Sequence, residues 1–222
     1  MKTTDNIHTI INILEQEMRQ IKTPLVSRRR WEIIPHTPFT TLISCLLSLR
    51  TKDEVTEEAS IRLLKNHHTP EQIASLSEKD IQSMIYPVGF YRVKAKRIKE
   101  IAQTLINNYD GNVPKDFDTL LSLKGVGKKT AAIVMVYGYD SADYIPVDIH
   151  VHVISNRLGW VTTSHPDETM DALMQTIPKK YWASLNHLLV KFGQTYCVTI
   201  SPFCSICPLQ TYCLKNGVDT HR

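Results

Sequence analysis

The chain has 222 residues, 42% hydrophobic and 22% charged, with a formal net charge of +4. This is the composition of an ordinary soluble protein with enough apolar material for a sizeable core, in one large domain or two small ones. It lacks any run of about 18 apolar residues, so no membrane span is expected, and its mild excess of base points weakly to a polyanionic partner.

Helical periodicity dominates in chain order. Apolar residues recur at three- and four-residue spacing over 4–21, 38–49, 52–66, 78–86, 91–109, 117–123, 127–137, 148–158, 166–177 and 180–196. The first of these is amphipathic and carries acids, unlike a signal peptide, so an intracellular site in cytoplasm or nucleoid is expected. Ile98, Ile101, Leu105 and Ile106 are typical of the pattern. Thr69-Pro70-Glu71 reads as a cap with proline at the first helical position, and Ser164-His165-Pro166-Asp167 is a looser version. "YDGNVP" at 109–114 lies between helical patterns and reads as a helix–helix turn. No alternating strand pair appears, which makes the fold class all-α. The stretch 140–146 is the best candidate domain boundary. Arg28, Arg29 and Arg30 form one basic cluster; Arg92, Lys94, Lys96, Arg97 and Lys99 form another. Both read as solvated faces, and Arg92, Lys94 and Lys96 also as phosphate-steering charges. Trp31, Trp160 and Trp182 are expected in the core.

Cys45 lies in an apolar helix and reads as a buried thiol. Cys197, Cys204, Cys207 and Cys213 instead follow C-x6-C-x2-C-x5-C near the C-terminus. Four thiols in so short a span of an intracellular chain indicate a metal site rather than disulfides. Zinc and an iron–sulfur cluster both fit four thiolates; the single short spacing favours the cluster, because zinc knuckles usually pair two. Pro202 and Pro208 keep this segment out of helix.

The stretch "LKGVGKKTA" at 123–131 has a tight turn opening a helix. Gly125 and Gly127 permit positive φ and close approach, and the helix start offers N–H groups to an anion. The unit is a candidate helix–hairpin–helix that grips a nucleic-acid phosphate, with a plain helix–helix turn as the alternative. Lys128 and Lys129 crowd the positive end of the helix dipole. That is poor local electrostatics, yet it favours the neutral amine that Schiff-base chemistry needs. Asp148 follows in "YIPVDIH", either as an N-cap alone or as a carboxylate aimed at the lysine and substrate. His150 and His152 flank it, and His150 is a weaker candidate for the site.

Together these residues resemble the endonuclease III family of DNA glycosylases and AP lyases. The resemblance runs from about Ile33 to Cys213 and rests on "LKGVGKKTA", "VDIH", the cysteine spacing, "LLSLRTKD" at 46–53 and "VGFYRVKA" at 88–95. It implies two helical domains flanking a DNA-binding cleft: a six-helix barrel over 27–141 with the hairpin at 117–137, and a cluster domain from 1–26 and 142–222. It implies a 4Fe-4S cluster on Cys197, Cys204, Cys207 and Cys213, in the loop 197–213. Lys129 matches the family's catalytic lysine and Asp148 its catalytic aspartate. The implied partner is double-stranded DNA with damaged bases or abasic sites, bound by a monomer. The implied reaction removes oxidised pyrimidines of the thymine glycol type through a lysine Schiff base, then β-elimination 3′ to the lesion.

Gly125, Gly127, Lys128, Arg50, Phe90 and His150 would contact the DNA. Arg50 stands where many members carry glutamine, and Phe90 where leucine is common. Both would fill or wedge the gap left by base flipping; the plain alternatives are a surface charge and a core aromatic. Lys124 replaces a common proline and adds charge near the phosphate; Val153 replaces a common arginine and, with Arg50, puts opposite-strand preference and lesion range in doubt. The competing readings are a monofunctional thymine- or adenine-mismatch glycosylase and a non-catalytic iron–sulfur DNA-binding protein. Retention of Lys129 and Asp148 argues against both.

Overall fold

The structure is a computed structural model that describes residues 6–20 and 32–222. In chain order it contains α1 (Ile7–Gln20), α2 (Pro38–Ser48), α3 (Asp53–Leu64), α4 (Pro70–Ser75), α5 (Glu78–Ile85) and α6 (Tyr91–Tyr109). There follow α7 (Phe117–Ser122), α8 (Lys128–Ile133), α9 (Ile149–Leu158), α10 (Pro166–Thr176) and α11 (Trp182–Thr195). No strand occurs among the described residues, and none of their helices is long and apolar enough to cross a membrane. Arg28, Arg29, Arg30 and Trp31 lie outside the described residues. The chain divides into two compact units, one of Met1–Lys22 with Ala142–Arg222 and one of Thr23–Ser141.

In the unit Thr23–Ser141, α2 is the central helix. Phe39 to Leu47 are all buried along it, as expected of a helix that is apolar all round. Thr37 caps it in a reciprocal box with Thr40, and Pro38 opens it. It packs against α3, α6, α8 and the turn of π-helix Val134–Gly138 that prolongs α8. The sequence reads 127–137 as one helix; the structure changes its hydrogen-bond register at Val134. A Cβ on Gly138 would sit 2.9 Å from Pro38 Cα. The end of the widened turn therefore meets the start of α2 backbone to backbone, which only glycine allows. Along the other side, α6 buries Ile98, Ile101 and Leu105 against α4 and α5.

In the second unit, α1 presents Ile7, Ile10, Ile11, Leu14 and Met18 to α11. The buried Lys191 ammonium donates to the Met18 carbonyl at 2.5 Å, closing the end of α1. α9 packs on α10 and α11. Asn186 donates to the Pro146 carbonyl at 2.9 Å, fixing the extended approach to α9. Trp160 is buried, and Trp182 is half-buried with its indole donating to the Ile177 carbonyl at 2.7 Å.

Candidate functional site

The hairpin turn joins α7 to α8. Asp116 caps α7 by accepting from Thr119 N at 2.8 Å, and Val126 N donates to the Leu123 carbonyl at 2.9 Å. Gly125 has φ +90, and a Cβ there would lie 3.1 Å from Arg97 Cδ. The conformation favours glycine, and any side chain there would have to push the Arg97 side chain aside. Gly127 differs: its φ is −98 and a Cβ would meet nothing within 4 Å. Nothing inside the fold requires this glycine, so the open space beside it is left to whatever approaches the turn. Thr130, Ala131 and Ala132 are buried and seat α8, with the Cys45 thiol donating to Thr130 Oγ1 at 3.6 Å. Lys128 and Lys129, one step earlier, are half-buried at the helix start.

Arg50 and Phe90 occupy exposed turns of the same unit. Both take the left-handed backbone region, with φ 52 and φ 57. Phe90 is 62% exposed, so the core-aromatic alternative is excluded. The Arg50 guanidinium lies 5.8 Å from the centroid of the Phe90 ring. Exposed Val93 and Tyr86, which sequence reasoning passed over, stand on the same stretch of chain.

Lys94 corrects an expectation. Read as an exposed steering charge, it is only 9% exposed, while Arg92 and Lys96 beside it face solvent. Its Nζ donates to the carbonyls of Leu47 at 2.8 Å and Leu49 at 2.5 Å, and to Thr51 Oγ1 at 3.1 Å. Burial pushes its ammonium down to about 8.

In the other unit, Ile145, Pro146 and Val147 are buried and lead to Asp148. Asp148 caps α9: Oδ1 accepts from Val151 N at 2.9 Å. The cap uses one carboxylate oxygen for the helix, so capping and a chemical role are compatible. The His150 ring packs against Gly193 of α11, where a Cβ would fall 2.3 Å from Nδ1. His152 bonds Thr169 Oγ1 at 2.6 Å, and burial, with His165 adding to it, lowers its pKa. Ile149, between Asp148 and His150, is 54% exposed.

Cys197, Cys204, Cys207 and Cys213 all line one pocket, whose walls include Ile154, Leu158, Phe192 and Leu209. Burial pushes the Cys207 thiol up to about 11, and the other three thiols add to the effect. Such a donor set binds as thiolates only when a cation offsets their ionisation. Hydrogen-bond donors to sulfur are already in place. Arg157 Nη1 lies 3.2 Å from Cys197 Sγ, and Lys215 N lies 3.4 Å from Cys213 Sγ. Among the described residues no three His, Cys, Asp or Glu side chains close around one point as a single metal ion requires. The four cysteines line one pocket. By its chemistry the donor set is that of a thiolate-ligated metal group.

The described residues make an all-helical protein in which a glycine turn opens a helix that begins with Lys128 and Lys129. The chain belongs to the HhH-GPD superfamily of base excision DNA repair proteins, whose description matches residues 43–179. It is 44% identical over 176 residues to endonuclease III of Thermotoga maritima, covering 79% of this chain and 82% of that protein. It is 44% identical over 183 residues to the chloroplastic endonuclease III homolog 2 of Arabidopsis thaliana, covering 79% of this chain. It spans 47% of that longer relative, about half its length. A trapped endonuclease III–DNA covalent intermediate superposes with a TM-score of 0.84 at 30% identity, covering 97% of both chains.

Proposed function

We propose that this protein is a bifunctional DNA glycosylase and AP lyase of base excision repair. It acts as a monomer, on cellular DNA, upon oxidised, ring-saturated pyrimidines of the thymine glycol type and upon abasic sites. The observation that carries the reading is the hairpin. A glycine that the fold itself does not need leaves open space at the start of α8, and Lys129 is half-buried in the first turn beyond it. An amine so placed, next to a turn suited to a DNA phosphate, is equipped for covalent chemistry on the sugar of the same strand. The trapped covalent intermediate of the structural relative supports the same chemistry.

Gly125, Gly127 and Lys128 hold the backbone phosphate. Arg50 and Phe90 enter the stack where the damaged nucleotide is flipped out, and His150 stands beside Asp148 to support the approach of the strand. Lys129 Nζ attacks the sugar carbon that bears the base, and the base leaves with the bonding electrons and a proton. Asp148 accepts the proton that activates the amine and its charge stabilises the cationic sugar. Ring opening gives an imine between Lys129 and the sugar. Loss of the adjacent C2′ proton then expels the 3′ phosphate by β-elimination, and hydrolysis frees Lys129.

The unit Thr23–Ser141 serves as the barrel that carries the hairpin, and the other unit as the cluster domain. Cys197, Cys204, Cys207 and Cys213 would hold a 4Fe-4S cluster, which supplies an organising centre for the loop 197–213 and a redox-active group. No step of base removal passes through it.

The test is a 5′-labelled duplex with one thymine glycol. Strand cutting without alkali, leaving the unsaturated-sugar end of β-elimination, is the expected result. Cutting only after hot alkali would make the protein a monofunctional glycosylase and overturn the lyase assignment.

A further inference from the structure

Arg50 and Phe90 hold strained left-handed conformations although their side chains face outward. Their own contacts give no reason for the strain; the backbone beneath them does. Lys94, in the first turn of α6, spends its donors on Leu47 O, Leu49 O and Thr51 Oγ1, so the chain on both sides of Arg50 is tied to one ammonium. An ammonium has three donors, and these three acceptors match them. Thr51 Oγ1 also accepts from Gly89 N at 3.2 Å, which ties in the residue before Phe90. Gly89 approaches so closely that a Cβ on it would lie 2.5 Å from Arg50 O. One buried cation therefore fixes both turns, and the Arg50 guanidinium rests toward the Phe90 ring.

We propose that Lys94 is a positioning residue that joins Arg50 and Phe90 into one preorganised two-pronged wedge, and that the pair, rather than either residue alone, opens the duplex at a lesion. This rests on the reading that Arg50 and Phe90 enter the base stack. Strained backbone collects at working sites when surrounding structure over-determines it. A wedge fixed beforehand avoids the cost of ordering two turns at the moment of binding. Lysine is suited to the task because a compact ammonium on a flexible stem reaches three oxygens from different directions, which a planar guanidinium does not.

The experiment compares two substrates and one signal. A duplex carrying thymine glycol requires the stack to be opened; a single strand carrying a preformed abasic site requires only the Lys129 amine. Lys94→Met is expected to slow the duplex reaction about tenfold or more, since small misplacements of positioning groups have such effects. Borohydride trapping on the single strand should stay within about twofold, because that path needs no wedge. Adding Phe90→Ala to Lys94→Met should cost little more, the coupled behaviour of residues acting as a unit. Thr51→Val keeps the two carbonyl bonds of Lys94 and cuts the link to Gly89; it should show the same pattern, more weakly, and it serves if Lys94→Met folds poorly. Equal losses on both substrates, an unchanged duplex rate, or fully independent effects of Lys94→Met and Phe90→Ala would overturn the proposal.

Stack opening is also read without any lyase step, by the fluorescence of 2-aminopurine placed beside a stable abasic-site analogue. Wild-type protein should raise it and Lys94→Met should not. If wild-type protein traps on neither substrate, the lyase reading fails, and the fluorescence alone decides the wedge.

Discussion

Arg157 Nη1 donates to the Cys197 thiol at 3.2 Å and to the Val198 carbonyl at 2.9 Å, while Nη2 reaches the Thr199 carbonyl at 2.7 Å. A buried guanidinium on α9 thus holds the entrance of the cysteine loop. Arg157→Gln takes the donors from the part-buried Val198 and Thr199 carbonyls and should lower stability by about 1 kcal/mol. Wild-type protein purified without oxygen should carry about four irons per chain, the content of one 4Fe-4S cluster, and Arg157→Gln should lose iron faster. Elemental analysis checks both, and one zinc per chain would contradict the cluster.

The two hairpin glycines should separate by experiment. Gly125→Ala forces a side chain into positive φ against Arg97 and should cost about 1–3 kcal/mol. Gly127→Ala meets nothing within 4 Å, so it should leave stability within about 0.5 kcal/mol. It should nevertheless weaken DNA binding, because the open space lies where the backbone phosphate would approach. Thermal melts and titration with an abasic-analogue duplex read the two effects. Undiminished binding by Gly127→Ala would remove the hairpin from the interface.

Asp148 combines a cap with a proposed chemical role, and Asp148→Asn separates them. Asparagine caps helices about as well as aspartate, so melting should barely move. Base release should fall about a hundredfold or more, as expected for loss of a general base and of charge stabilisation. A variant that melts normally and releases base at the wild-type rate would reduce Asp148 to its cap.

Lys94 gives a pH dependence whose sign is fixed. Burial lowers its pKa from 10.5 to about 8 in the folded chain. Between those values the unfolded chain binds more protons, so stability rises with pH across that window and is flat with respect to this group below it. Denaturant titrations of wild type and Lys94→Met, compared between pH 8 and 10.5, should show the wild type gaining on the variant. A loss over that range would contradict the burial that the fold assigns to Lys94.

Much of this fold is legible in its residues. The long amphipathic stretch of α6 falls at 91–109 in both sequence and structure because its period repeats over five turns. Thr69-Pro70 announces a start, and Thr69 does cap a helix there; the helix is too short for periodicity to reveal. The π turn after α8 is hidden, because its buried residues Val134, Met135 and Val136 continue the apolar pattern of the helix and carry no mark of the changed register. Lys94 is hidden for a different reason. Its charge argues for solvent, and the acceptors that allow burial lie more than 40 residues earlier in the chain. The Gly-x-Gly turn is visible as a pattern, but only the structure shows that the fold favours glycine at Gly125 and not at Gly127.

The most direct test of the central claim is borohydride trapping. The protein is mixed with a thymine glycol duplex and reduced, and the cross-linked peptide is located by mass spectrometry. The account predicts a reduced Schiff base at Lys129 that disappears in Lys129→Gln. A cross-link at Lys128 or another lysine, or none from cluster-loaded protein that still binds the duplex, would contradict it.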